Sequence, residues 1–231
     1  TVLVTVGDSF DTTDGTNLQP QSAAQAGVDN VIVVDDPSHT NGSTLDGVGG
    51  TNTVAFGSDA SYDFTDLNNP NTTGFKNIEK LDFGAGAADD AVDFTDTLTM
   101  TVEQHNKLSD AANGGSATIQ LNNSGTLTGL AGVGTYNLAA GGTTFTLGDA
   151  EQNVNSNFGT PVTIDVAGLT ATGKFITHIT DTILLSDGAD IKEVVNGSDT
   201  TGGALSADDL TLDADGAGAG LGLSCFLILG S

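Results

Sequence analysis

Aspartate is the residue type of this chain that is best suited to chemistry, because it supplies 26 of the 30 acidic side chains and glutamate only four. A short carboxylate serves two purposes. It accepts hydrogen bonds from the backbone of its own turn, and its oxygen atoms bind Ca²⁺. The strong preference for Asp therefore favours calcium binding at turns, and plain turn chemistry is the alternative.

Three groups of aspartates lie close together in the sequence, at Asp89/Asp90/Asp93, Asp187/Asp190 and Asp208/Asp209. Neighbouring carboxylates repel one another unless a cation or solvent relieves the charge. We expect Ca²⁺ as the cofactor, with solvated turns as the alternative for each group. The predicted ligands are Asp89, Asp90, Asp93, Asp181, Asp187, Asp190, Asp208, Asp209, Asp213 and Asp215.

Residues 211–216 contain the Asp-x-Asp-Gly spacing that forms part of an EF-hand loop. Thr211 would occupy position 1 of that loop and Gly222 position 12, where the loop needs an aspartate and a bidentate glutamate. We therefore exclude an EF-hand and keep Asp213 and Asp215 as ligands in a turn.

Side chains for other catalytic chemistry are scattered. The three histidines, His39, His105 and His178, lie in separate segments without metal-ligand spacing, and Cys225 lies in an apolar run. The sequence has no nucleophile-elbow motif and no phosphate-binding loop. We expect neither a transition-metal site nor covalent catalysis.

A polysaccharide-active β-helix enzyme is the remaining catalytic alternative. The chain has five lysines and no arginine to neutralise an acidic sugar, and without Trp only Tyr62 and Tyr136 remain for a sugar-stacking platform. Hydrolysis by a pair of carboxylates stays open because aspartate is plentiful. We expect a protein that is not an enzyme.

The net charge of −25 limits the partners of the chain. Nucleic acid is excluded because neutralising phosphates requires Lys and Arg, and docking on an anionic membrane is disfavoured for the same reason. No apolar run reaches the roughly 18–20 residues of a membrane span. The single cysteine forbids an internal disulfide framework.

Short strands must position all of these residues. The predicted strands are short runs that are either rich in apolar β-branched residues, as at 31–34, or alternate apolar with polar residues, and Gly, Asn and Asp lie between them. They cover residues 2–6, 31–34, 98–102, 116–121, 125–130, 135–138, 143–147, 162–166 and 175–179. Residues 103–108 have the pattern of one helical turn. Phe75, Ile78, Leu81 and Phe83 are candidate core residues.

This pattern predicts an all-β fold, a parallel β-solenoid (β-helix) of many short strands with Gly/Asn/Asp turns; the alternative is a tandem β-sandwich. The few aromatic residues favour a solenoid whose narrow interior is filled by aliphatic side chains. We divide the chain into N-terminal strands and polar loops (1–50), a solenoid repeat region (51–215) and an apolar C-terminal strand or tail (216–231).

An internal repeat supports the solenoid. Residues 51–62 align without a gap to residues 180–191, at an offset of 129 positions. The offset pairs Val54 with Ile183 and Leu81 with Leu210, so we expect each pair to occupy equivalent inward positions.

Both ends of the chain are apolar. Residues 2–6 form a strand that could add to a sheet edge, and residues 221–229 are an apolar run after a very acidic segment. We expect the second run to be buried in the solenoid or in a neighbouring copy, or to be an uncleaved export signal. Because no initiator Met or signal peptide is present, we expect processing, excision from a longer chain, or export by another signal.

Four segments carry a resemblance to a known group of proteins: residues 74–81, 98–106, 143–154 and 181–191. They resemble β-repeat regions of RTX-related calcium-binding adhesins and S-layer proteins, which are large secreted bacterial surface proteins. The resemblance spans about residues 50–215 and implies a calcium-stabilised parallel β-solenoid exported without a cleaved N-terminal signal. The strict nonapeptide G-G-x-G-x-D-x-U-x is absent, so isolated turn-bound ions are expected instead of stacked calcium rows.

These features together predict a secreted structural protein, extracellular or on the bacterial cell surface. It would associate with copies of itself into a surface layer or filament that calcium stabilises. The alternative is an adhesin segment that binds a surface ligand, with a cell-surface polysaccharide as a further partner.

Overall fold

The structure is a computed structural model of the 231-residue chain. It describes residues 2–6, 29–34, 36–57, 59–84, 97–138, 141–156, 161–177, 181–185, 190–196 and 211–214. For residues 2–6, 39, 185, 190, 192–196 and 211–214 it describes the backbone only.

The predicted fold class is confirmed. The chain is nearly all-β, and its parallel strands stack as a β-solenoid of about six turns. The strands are β1 (Val2–Val6), β2 (Asn30–Val34), β3 (Leu45–Asp46), β4 (Thr53–Phe56), β5 (Tyr62–Asp63), β6 (Phe75–Lys76), β7 (Lys80–Asp82), β8 (Thr97–Met100), β9 (Asp110–Ala112), β10 (Thr118–Leu121), β11 (Thr126–Thr128), β12 (Thr135–Leu138), β13 (Thr144–Thr146), β14 (Asn153–Asn155), β15 (Thr163–Asp165), β16 (Thr170–Thr177), β17 (Thr182–Leu185), β18 (Asp190–Asn196) and β19 (Thr211–Ala214). The helical segments are two 3-10 turns, Pro37–Thr40 and Phe64–Asp66, and the single α-helical turn α1, Val102–His105.

The described residues include no helix that is long and apolar enough to cross a membrane.

Residues 1–119 form the first of two compact units. Its main sheet has the strand order β1-β2-β4-β7-β9, and the pairs β3–β6 and β5–β8 accompany it; all of these pairs are parallel. Hydrogen bonds from one rung to the next join residues 22, 27 and 30 positions apart. The spacing varies because the 3-10 turns and α1 lie in the connections between strands.

Residues 120–231 form the second unit, and β10 spans the boundary between the two. From β11 onward, successive strands alternate between two parallel series, β11-β13-β15-β17-β19 and β12-β14-β16-β18. Hydrogen bonds between rungs join residues 19 and 21 positions apart. From β11 to β18 the paired residues of successive rungs are 18–21 positions apart, fewer than in the first unit, whereas those of β17 and β19 are 29 apart.

Alternation along each strand builds the interior of the second unit. The side chains at one register position of β11, β13, β15 and β17 are all buried: Leu127, Phe145, Ile164 and Ile183. Their neighbours in sequence, such as Thr144 and Thr146, are partly exposed. Threonine suits these outward positions because its branched Cβ favours a strand and its hydroxyl remains hydrated. Each large apolar side chain buried in such a column contributes roughly 1.5–3 kcal/mol.

Aromatic rings fill much of the first unit, so the expectation of a purely aliphatic interior is wrong. The Phe56 ring centroid lies 5.1 Å from that of Phe83, 5.0 Å from Tyr62 and 6.0 Å from Phe64, and Phe64 lies 5.6 Å from Phe75. Every aromatic side chain that the structure describes is buried. The few aromatics are therefore concentrated in the core, where each buries a large apolar area.

A polar ladder crosses three rungs of the main sheet in the first unit. Asn52 Oδ1 accepts hydrogen bonds from the backbone N (3.0 Å) and the Nδ2 (2.8 Å) of Asn30. Asn52 N donates to Glu79 Oε2 (2.7 Å), and Asn52 Nδ2 donates to Asn77 O (2.7 Å). Because Asn30 and Asn52 are buried, every bond matters: an unpaired amide in the interior costs about 1–3 kcal/mol.

The predicted strands agree closely with those observed. The strands predicted over residues 2–6 and 135–138 have the observed bounds, and the predicted helical turn overlaps α1. Phe75, Ile78, Leu81 and Phe83 are buried as predicted. Parallel pairing begins upstream of residue 51, because β1 pairs with β2 and β2 with β4.

The internal repeat relates strands to strands. At an offset of 129 positions, β4 coincides with β17 end for end, and both Val54 and Ile183 are buried. Asn52 and Asp181, which precede these strands, are buried as well. The repeat spans several rungs, so the rung itself is the shorter unit of the architecture. Leu210 lies outside the described residues.

Ile183→Asp tests the inward column. We expect a loss of several kcal/mol of unfolding free energy, because the substitution places a carboxylate between Ile164 and Leu212 in the register of the sheet. Chemical denaturation followed by circular dichroism measures this loss. The matched control is Thr182→Asp, which adds the same charge at the neighbouring outward position and should change stability by about 0.5 kcal/mol or less. Equal losses in the two variants would contradict the assigned register.

Candidate functional site

Of the ten predicted calcium ligands, only Asp181 has a described side chain. Asp190 is the first residue of β18, and Asp213 lies within β19, paired with Leu184, instead of in the predicted turn. The strand conformation of residues 211–214 agrees with the exclusion of an EF-hand loop. The other predicted ligands lie outside the described residues: Asp89, Asp90, Asp93, Asp187, Asp208, Asp209 and Asp215.

Asp181 lies in the interior of the second unit, immediately before β17. Its Oδ1 accepts a hydrogen bond from Val162 N (3.0 Å), and its Oδ2 accepts one from Ser156 Oγ. Both Asp181 and Ser156 are buried. Ser156 directly follows β14, Val162 directly precedes β15 and Asp181 directly precedes β17. The carboxylate of Asp181 therefore connects all three strands. Calcium coordination by Asp181 stays a prediction.

Most other described aspartates act on the backbone of their own turns. Six of them accept a hydrogen bond at Oδ1 from the N–H group two residues later, at 2.8–3.1 Å. They are Asp36, Asp46, Asp63, Asp82, Asp149 and Asp165. A side chain of this length closes such a ring and mimics a backbone turn, which the longer Glu does less well. The preference for Asp in these segments therefore has a structural cause.

Two of these turns add a contact to the next rung. Asp46 Oδ1 accepts from Asn77 Nδ2 (2.7 Å), and Asp82 Oδ1 accepts from Asn113 Nδ2 (2.8 Å). Asn77 and Asn113 both have a positive φ, 53° and 56°, a conformation that asparagine tolerates better than most residues. The Asp-to-Asn contact thus recurs as a device that fixes the corner of one rung upon another.

Asp46 is the most heavily bonded of these carboxylates. Burial raises its pKa, but hydrogen bonds from Lys76 and from the Val48 N–H, together with the Asn77 amide and the Lys76 charge, outweigh that effect. The pKa of Asp46 is therefore lower than usual. Lys76 Nζ lies 2.8 Å from Asp46 Oδ2.

The described part of the chain holds no group of three or more His, Cys, Asp or Glu side chains placed to bind a metal ion. In these segments turn bonds engage six of the aspartates, whereas most predicted ligands belong to segments that are not described. Calcium binding there stays a prediction.

Three lysines of the first unit make structural contacts. Lys76 pairs with Asp46, and Lys80 pairs with Asp110 at 3.1 Å on the surface. Lys107 Nζ donates to Phe75 O (2.6 Å) and Asn71 O (2.9 Å) and lies 5.9 Å from the centroid of the Phe75 ring. Burial lowers the pKa of Lys107, which the nearby Glu103 charge raises in part. These contacts give each of the three lysines a structural role.

The helical turn α1 is held by a capping box. Gln104 N donates to Thr101 Oγ1 (3.1 Å), Thr101 N donates to Gln104 Oε1 (2.8 Å), and Gln104 Nε2 reaches Phe64 O (2.7 Å). The next residue, His105, is buried in the core. Its burial lowers its pKa to about 4, although a hydrogen bond with the Asn106 side chain raises it in part.

The buried polar residues are the part of the architecture that sequence reasoning missed. Thr177 occupies an inward position of β16, and Ser156, which directly follows β14, is buried as well. Gln152 donates to Leu130 O (2.7 Å) while accepting from Gly148 N (2.8 Å). A polar residue at an inward position of an alternating strand was the available signal. At Gly148 a Cβ atom would lie 1.8 Å from Gly129 O, so only glycine permits this approach of two rungs.

Comparison of the chain with protein-family models, with curated proteins and with solved structures finds no match.

Substitutions of Asp165 distinguish the hydrogen bond that its side chain makes in the turn from the effect of its negative charge. Its Oδ1 accepts from Ala167 N (2.9 Å), and Ala167 has a φ of 53°. We expect Asp165→Asn to retain the bond and melt close to the parent, whereas Asp165→Ala loses about 0.5–2 kcal/mol, as a lost cap does. Thermal and urea unfolding at fixed ionic strength measure both variants. If Asn and Ala are equally destabilising, the carboxylate charge matters and the turn assignment is wrong.

His105 makes stability depend on pH. Its pKa is about 4 in the folded chain and about 6.5 when unfolded, so only the unfolded state takes up the proton between these values. Stability is full above pH 6.5 and falls as pH decreases, by about 3 kcal/mol once pH 4 is reached. We expect this slope in urea unfolding between pH 6.5 and 5, above the range in which most carboxylates titrate. His105→Gln should flatten the slope, and an unchanged slope would assign it to other groups.

Proposed function

We propose that this chain is a secreted structural protein of the bacterial surface that associates with copies of itself into an extracellular layer or filament. Calcium stabilises the assembly. The proposal assigns no catalytic activity to the chain.

The parallel, in-register stacking of rungs is the observation that carries the proposal. Among the described strands, β1 lies at one end of its sheet and pairs with β2 over five residues, and β19 lies at one end of its sheet and pairs with β17 over four. β1 is therefore not a free strand, as its sequence suggested, but the first strand of a ladder. A parallel sheet extends by the same hydrogen-bond pattern that built it, so a strand from another copy suits such an end.

The apolar C-terminal run supplies the driving force in this proposal. Its large apolar side chains are Leu221, Leu223, Phe226, Leu227, Ile228 and Leu229. Burying each of them contributes roughly 1.5–3 kcal/mol of free energy. In this proposal a tail that is buried against the next copy is therefore much more stable than a tail exposed to solvent. A head-to-tail contact of this kind propagates instead of closing into a dimer.

The described side chains support a scaffold better than a polysaccharide-active enzyme. Tyr62 and Tyr136 are both buried, and Tyr62 OH donates to Val34 O at 3.1 Å while Tyr136 OH accepts from Leu130 N at 2.7 Å. Neither ring is available for stacking on a sugar. Lys76, Lys80 and Lys107 are engaged in the contacts described above.

Charge is the reason for including calcium. Copies that each carry −25 repel one another at close range, and monovalent salt screens that repulsion only beyond about 8–10 Å. A divalent cation bound by aspartate oxygens removes charge where the copies meet and stabilises the turns that hold it.

Deletion of residues 221–231 tests the assembly. We expect the truncated chain to keep its β-sheet circular dichroism but to remain monomeric in calcium, while the full chain forms layers or filaments. Sedimentation and negative-stain electron microscopy, each in CaCl₂ and in EGTA, make the comparison. The reason is the lost apolar contact with the next copy.

Charge substitutions in the same tail provide a matched control. Leu227→Asp with Leu229→Asp should prevent assembly, whereas Ser224→Asp with Ser231→Asp adds the same charge, leaves the apolar side chains in place and should still assemble. Filaments formed by the truncated chain would exclude the tail as the joint. A full chain that stays monomeric at high concentration in calcium would refute the scaffold and leave the adhesin alternative.

A further inference from the structure

The corner at Asn113 joins a reactive dipeptide to a contact between rungs. Asparagine is thermolabile, and it loses its side-chain amide most readily before glycine, because glycine has no Cβ to hinder attack of its backbone nitrogen on the preceding side chain. The chain contains Asn–Gly at residues 41–42, 113–114 and 196–197. Gly197 lies outside the described residues, so the structure distinguishes between the first two.

The backbone around Asn113 has room to change conformation. Asn113 is exposed and directly follows β9, with a φ of 56°, and its Nδ2 donates to Asp82 Oδ1 at 2.8 Å. Gly114 and Gly115 come next, and a Cβ atom added at Gly115 would meet no atom within 4 Å. Two successive glycines and this open space let the corner leave its left-handed conformation at little steric cost.

The attacking atom at this corner is Gly114 N. In the part of the chain that the structure describes, no group accepts a hydrogen bond from it. Gly42 N, by contrast, donates to Asp66 O at 2.8 Å, so Asn41 is protected although it is exposed too. Gly114 is buried, and the reaction therefore proceeds when the corner opens.

Asn77 forms the same corner without the glycine. Its φ is 53°, and its Nδ2 donates to Asp46 Oδ1 at 2.7 Å, as that of Asn113 does to Asp82. The residue after it is Ile78, which is buried. A branched side chain at this position hinders attack by its own backbone nitrogen, and its packing in the core keeps the backbone in place. Asn77 is therefore an internal control for Asn113.

We propose that Asn113 is a site of spontaneous deamidation and that Asp82 controls its rate. Gly114 N bonds to Cγ of Asn113, the Cγ–Nδ2 bond breaks, and ammonia leaves with the proton that Gly114 N gives up. Water then opens the cyclic imide at one of its two carbonyl groups and gives aspartate or isoaspartate at position 113. Water is the only co-reactant, and nothing is oxidised or reduced.

Asp82 slows the reaction in two ways. Its hydrogen bond restrains the rotation of the Asn113 side chain that ring closure requires, and its charge opposes the negative charge that develops during the attack. After the reaction a carboxylate replaces the amide donor, so the contact between the rungs of β7 and β9 becomes a repulsion. The corner is thus a slow, irreversible switch, and it is independent of the assembly proposed above.

Incubation of the purified chain at mildly alkaline pH, folded and in urea, tests the site. Peptide mapping by mass spectrometry measures the loss of amide at each asparagine over time. In the folded chain Asn113 should deamidate several-fold faster than Asn41 and Asn77. In urea Asn41 should approach the rate of Asn113, because Gly42 N is no longer held, whereas Asn77, which precedes isoleucine, should stay slow.

Substitutions at both corners assign the roles. Asp82→Ala should speed the deamidation of Asn113 several-fold, whereas Asp46→Ala, the matched change at the other corner, should leave Asn77 intact. Gly114→Ala should slow the reaction of Asn113, and it keeps the site testable if Asp82→Ala does not fold.

Asn113→Asp tests the switch itself, because it places a carboxylate opposite Asp82. Its melting temperature should lie below that of Asn113→Gly, which also removes the hydrogen bond but adds no charge. Raising the ionic strength should narrow the difference, because salt screens the repulsion. Equal melting of the two variants would refute the switch.

The rates decide the rest of the proposal. An Asn113 that survives as long as Asn77 in the folded chain would refute the site. An unchanged rate in folded Asp82→Ala would refute the control by Asp82. The same ratio of rates at Asn113 and Asn41 in the folded chain and in urea would show that the fold has no influence and would overturn the assignment.

Discussion

Parallel, in-register hydrogen bonding between rungs is the constraint on which the rest of this structure depends. Once β11, β13, β15 and β17 pair at one register, every inward residue meets an inward residue of the next rung, as in the column from Leu127 to Ile183. A shift of one residue would turn each of these side chains outward and bring threonines into the core. The hydrophobic column and the hydrogen-bond ladder therefore require the same register, so the two interactions together specify one pairing of the strands.

Polar side chains at the corners allow the backbone to turn between the regularly paired strands. Aspartates such as Asp46 and Asp82 close their own turns and also hold an asparagine of the next rung, and the Asn30–Asn52–Glu79 ladder ties three rungs through buried amide and carboxylate groups. Short side chains serve best because the bonds span only two residues of backbone or one strand spacing. In the described segments, Asp and Asn therefore serve the turns and the contacts between rungs.

Electrostatics links this architecture to the proposed function. The lysines that the structure describes in the first unit are engaged by Asp46, by Asp110 and by the carbonyl groups of Asn71 and Phe75. Because the chain has five lysines against 30 acidic residues, most of the acidic charge is left to solvent and ions. A chain of this charge assembles with itself only where cations reduce the repulsion.

The sequence by itself determined most of the strands, the apolar inward residues and the fold class, because alternation is a local property that a few neighbouring residues encode. The strand over residues 135–138, the buried Phe75 and Leu81, and the equivalence of Val54 and Ile183 could all be read from it. Which strands pair was decided only by the tertiary structure, because the distance between rungs varies with the connections, from 18 residues between Thr126 and Thr144 to 36 between Tyr62 and Leu98. For the same reason no local pattern could show that Asp181 would be buried against Ser156, 25 residues away.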